Sequence, residues 1–100
     1  MTDPTALRRA IAAASRAKAI LDDEIVAGAL DAIEAELRAN WESSDLGDRE
    51  GREDAYRMFR SAKAFRDRLG KAISDGAVAR AEIEDQAARQ RRAEVRSAPS

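Results

Sequence analysis

Apolar residues recur three and four positions apart from Leu7 to Ile73, and the clearest turn between them is Ser43-Ser44-Asp45-Leu46-Gly47. That spacing puts side chains on one face of an α-helix, and a cluster of small polar residues with glycine ends one. Asp3-Pro4 reads as a helix start, a capping carboxylate before a proline at the first helical position. Leu7, Ile11, Ala14, Ala17 and Leu21 then form a first stripe, widened by Ala10 and Ile20. Asp22, Asp23 and Glu24 interrupt it, which suits the amide-rich, electropositive start of a second helix. There the seam is Val26, Leu30, Ile33, Leu37 and Trp41. Whether these are two helices or one helix with a kink stays open at the level of sequence.

After the turn, Asp48 can cap a third helix over 49–75, about 40 Å long at 1.5 Å per residue. Its stripe is Ala55, Met58, Phe59, Ala62, Phe65, Leu69, Ala72 and Ile73. Gly70 falls inside it at a cost of about 1 kcal/mol relative to alanine, a sign of close packing or a bend, and Gly76 reads as the C-cap. Beyond, Val78, Ile83 and Val95 are too sparse for a stripe. The expectation for 77–95 is a helix that is solvated, frays, or orders on a partner, with Ser97 to Ser100 as a tail. The fold class is all-α: an antiparallel helical hairpin or three-helix bundle over 1–76, then a solvated helix and tail over 77–100.

Such a bundle has a thin core. Alanine supplies 23 of the 44 hydrophobic residues in the 100-residue chain, and burial energy scales with apolar area, of which alanine has little. Small domains of this kind gain from self-association, so other protein subunits, a homo-oligomer among them, are the expected partners. Charged residues make up 37% of the chain yet the net charge is −1, as in long solvated helices whose charges pair along the surface. No apolar run approaches the roughly 20 residues that cross a bilayer. No membrane role is expected, the N-terminus lacks the apolar core of a secretory signal, and the cytoplasm is the default location.

With no His and no Cys, the commonest general base and the strongest nucleophile are missing, and the His-containing motif of helical di-iron bundles cannot be built. The five glycines match no phosphate-cradling loop. Asp22-Asp23-Glu24 suits helix capping better than a metal. Neither an enzyme, a cofactor, a metal nor a small-molecule substrate is expected.

Binding is the remaining class. Between 57 and 71, six bases stand against Asp67 alone. Arg57, Arg60, Arg68 and Lys71 group opposite the apolar stripe, a face able to meet nucleic-acid phosphates or an acidic protein. The competing reading is that this face pairs with acidic residues elsewhere, such as Asp31, Glu34 and Glu36 of the second helix. No aromatic residue interleaves the bases on that face, which argues against base stacking. Arg89, Arg91, Arg92 and Arg96 form a weaker basic cluster offset by Glu82, Glu84, Asp85 and Glu94. For protein partners the candidates are Trp41, Arg52, Tyr56, Phe59 and Phe65. Trp41 is foremost a core anchor beside the turn, and Arg52 can reach either a carboxylate or the carbonyls at the end of the second helix, tying the turn down, with Gly51 allowing a close approach.

The run Trp41-Glu42-Ser43-Ser44, Asp48 and Gly51-Arg52-Glu53, followed by an amphipathic helix and the late Gly76, resembles a group of small phage- and prophage-encoded proteins, over about positions 20 to 85. The resemblance implies a mobile-element origin and a structural or adaptor role in virion assembly or DNA packaging, hence a virion-associated location as well as a cytoplasmic one. It brings no functional residues. The chain departs from the pattern with Asp54, Ala55 and Tyr56, where the group carries aromatic residues or leucine. A nucleic-acid-associated packaging or regulatory subunit, and an inhibitor or adaptor of a host protein, are the alternative readings.

Overall fold

A computed structural model describes residues 3–97 as three helices, α1 (Pro4–Asp22), α2 (Glu24–Glu42) and α3 (Arg49–Ser97). The protein is all-α, with α3 packed against both α1 and α2. The tail expected at Ala98 to Ser100 lies outside the described residues, and Ser97 itself closes α3.

Local chemistry sets the boundaries. The Asp3 carboxylate accepts from the Thr5 amide (3.2 Å) ahead of Pro4. Asp23 decides the question left open above: it takes an extended conformation (φ −68°, ψ 122°), so α1 and α2 are separate helices joined by one residue. Its N–H donates to the carbonyls of Ala19 (3.2 Å) and Ile20 (3.3 Å), closing α1. Its carboxylate accepts from the amides of Ile25 (2.9 Å) and Val26 (3.0 Å), opening α2. Asp22 instead pairs with Lys18 one turn back. Because the side chain caps only the start of α2 while the backbone N–H that closes α1 stays, Asp23→Ala is expected to cost about 1 kcal/mol, seen as a lower midpoint in thermal unfolding.

The third helix departs from the sequence reading. It runs unbroken for 49 residues, about 73 Å, and the boundary expected at residue 76 falls in its interior. Gly76 is not a C-cap but a buried mid-helix residue facing α1: a Cβ placed there would overlap the Cβ of Ala14 and come within 3.1 Å of the Ala10 carbonyl oxygen. Gly70, expected to mark close packing or a bend, has nothing within 4 Å of such a Cβ. The stripe also continues past 76, carried by small residues: Leu69, Ala72, Gly76, Ala79 and Ile83 repeat at three and four, matching Leu7, Ala10, Ala14, Ala17 and Leu21 of α1. Ala79 is 3% exposed. Part of the segment expected to be solvated is thus the surface on which α1 lies.

The result is elongated, 81 × 28 × 17 Å with a radius of gyration of 21.8 Å, against about 13 Å for a compact domain of this length. Among the described residues only Leu7, Ala17, Phe59 and Ala79 form the buried apolar core. Alanine and glycine let the helices meet along their length without enclosing a deep interior.

Candidate functional site

The turn joining α2 to α3 is built by its own side chains. Ser44 Oγ donates to the Trp41 carbonyl (2.6 Å), and the Asp45 carboxylate accepts from the Gly47 amide (2.9 Å). Asp48 caps α3 by accepting from the Gly51 amide (3.0 Å). That carboxylate fills the space a Cβ on Gly51 would need, which is why glycine stands there. Arg52 Nη1 donates to the Ser44 carbonyl (2.9 Å) from eight residues on. The tie expected of Arg52 is present, to the residue just past the end of α2.

Over this frame lies an aromatic cluster. Trp41 is half-buried, with its ring 5.1 Å from Tyr56 and 5.9 Å from Phe59. Phe59 is buried beneath, with Arg38 (5.4 Å) and Lys63 (5.9 Å) against its ring. Trp41, Leu46, Arg49, Arg52, Glu53 and Tyr56 line an open hollow of about 550 Å³. Leu46 is 84% exposed there. Leu46 is the residue that polar turn chemistry leaves unexplained, and a leucine in a run of turn formers is itself a signal.

Of the five residues expected at a protein interface, Trp41, Arg52 and Tyr56 therefore line one hollow, and Phe59 supports it from below. Phe65 does not join them. It sits nearly two turns further along α3 and is 56% exposed.

The basic face is partly occupied. Arg57 meets Asp54 (3.2 Å) and Glu53 (3.7 Å), and Lys71 meets Asp75 (2.7 Å), all on α3 itself. Arg60 lies 6.0 Å over the Tyr56 ring, so an aromatic residue does stand among these bases, contrary to the sequence reading. Arg68 has no ion-pair partner among the described residues. Exposed pairs of this kind contribute little and exchange readily. Among the described residues none of these four bases pairs with α2; that link is made by Arg66, outside the face, which reaches Glu34 and Asp31 at 2.8 Å each. Its pKa is raised further, first by the hydrogen bond to Glu34. Glu36, the third acid named for this pairing, takes no part in it. Arg66 and Glu34 both fall in the apolar phase of their helices, the spacing that could have exposed the pair. In the C-terminal cluster Arg89 is held by Asp85 (2.7 Å) and Glu82 (3.4 Å).

Set against protein-family models, curated proteins and solved structures, the chain matches none. Among the described residues, no helix is long and apolar enough to cross a membrane.

Proposed function

We propose that this is a non-catalytic helical interaction protein whose turn end docks a partner protein, a structural or adaptor component of the kind the phage resemblance implies for virion assembly or DNA packaging. The observation that supports this reading is the hollow over Trp41 and Tyr56, with Leu46 held out beside it. Aromatic rings and an arginine around an apolar depression match the composition of interface hot spots. Because Arg52, Asp45 and Asp48 fix the turn from within, little ordering entropy is lost when a partner binds.

The test replaces Leu46 with a photo-crosslinking residue in the producing cell. A discrete protein adduct is expected there and none from the same residue at Val95. Leu46→Asp is expected to weaken capture of that partner at least tenfold with helicity unchanged by circular dichroism, since the side chain is exposed. Salt-sensitive DNA or RNA binding lost on changing Arg60 and Arg68 to alanine, with no adduct at Leu46, would overturn the reading in favour of a nucleic-acid-associated subunit.

A further inference from the structure

Met58, Phe65, Ala72 and Ala79 stand seven residues apart along α3. Seven residues are nearly two helical turns, so the four form one row that drifts by only about 20° per step. The row has two fates. At Ala79, where α1 lies on α3, exposure is 3%, whereas Phe65 is 56% and Met58 58% exposed. The bare half thus continues an interface that α1 already makes. It is also apart from the polar side of the hairpin: Arg66, about 100° from Phe65 on the helix, turns to Glu34 and Asp31. Ile33 of α2, between those acids in sequence, is 48% exposed.

A second row beside it says what could cover this surface. Asp54, Ser61 and Arg68 are also seven apart. Ser61 is the midpoint of Asp54 and Arg68 and close to the midpoint of Met58 and Phe65. Reversing the helix about Ser61 therefore exchanges acid with base and methionine with phenylalanine. Arg68 has no ion-pair partner among the described residues, and Asp54 meets only Arg57 of its own exposed surface.

We propose that two copies of the chain dock antiparallel through this face, with a two-fold axis at Ser61. Phe65 of each copy meets Met58 of the other, Asp54 meets Arg68 at both ends, and the small Ser61 lets the helices approach at the 8–10 Å of ordinary helix packing. Each α1 then covers the row beyond the contact, so the apolar strip of α3 is shielded along its length. The face is distinct from the turn hollow, and either assignment can fail without the other.

Light scattering on the full chain decides it. Twice the chain mass of 10.9 kDa is expected, and a single-chain mass at every concentration from micromolar to millimolar overturns the proposal. Phe65→Glu is expected to raise the dimer dissociation constant at least tenfold. Asp54→Arg is expected to do the same, and Asp54→Arg with Arg68→Asp to restore it. A dimer indifferent to these changes overturns the assignment of the face. The chain has no cysteine, so Ser61→Cys reports the axis without disturbing the apolar contact. It is expected to cross-link the copies under mild oxidation while Val95→Cys does not, and the reverse pattern overturns the antiparallel arrangement even if Phe65→Glu proves unfolded.

Discussion

Phe59→Ala is expected to destabilise the protein by about 3 kcal/mol, the lower end of the range for removing a buried phenylalanine. Among the described residues, Phe59 is the one large aromatic side chain in the buried core. It carries the Trp41 ring at 5.9 Å and the Arg38 guanidinium at 5.4 Å. Removing it leaves a gap that a structure one to two helices thick can partly close, which keeps the cost from the upper end. Against the 5–15 kcal/mol that holds most domains together, the loss is large. A drop in the urea midpoint together with a red shift of Trp41 fluorescence is the expected observation. An unchanged midpoint would show that Phe59 does not anchor the junction of α2 and α3.

Gly76→Ala and Gly70→Ala are expected to move stability in opposite directions. Both glycines are in the interior of α3 with helical backbones, so alanine gains about 0.5–1 kcal/mol at either site from helix propensity. At Gly70 the added methyl meets nothing, and that gain should appear whole. At Gly76 it collides with Ala14 and crowds the Ala10 carbonyl, neither able to swing aside, since both belong to the body of a helix. Forcing a methyl into packed helices costs about 1–3 kcal/mol. The net expectation is a loss at Gly76, with α1 pushed off the C-terminal half of α3. Hydrogen exchange should show it as lower protection confined to α1 and the facing part of α3. Equal gains at both glycines would show that α1 is not seated there.

The candidate site was legible in pieces. Trp41 and Tyr56 could be named from residue type and nearness to the turn, and Arg52 from its place in the first turn after Asp48. Their convergence on one hollow depends on α2 and α3 folding back, which brings residues 15 apart to 5.1 Å between rings. Phe65 has the same chemical character but turns to another side, because the six residues from Phe59, at about 100° each, carry it about 120° round the helix. In sequence Arg66 is one base among six, since a charge within an apolar stripe is meaningful only once the opposing helix supplies its acid.

What the sequence alone determined is the helical character, the capped starts at Asp3 and Asp48, and the turn at Ser43 to Gly47. These are mostly local: the capping and turn contacts of Asp3, Ser44, Asp45 and Asp48 reach two or three residues, and only Arg52 ties the turn from further along the chain. The length of α3 and the seat of α1 are tertiary. Large apolar residues thin out after Ile73, so the segment looks as if it has nothing to bury. What it buries is the surface of alanine and glycine, visible only when another helix with matching small residues lies against it. Gly76 reads as a helix end by residue type, and becomes a packing contact because Ala14 occupies the space where its side chain would have been.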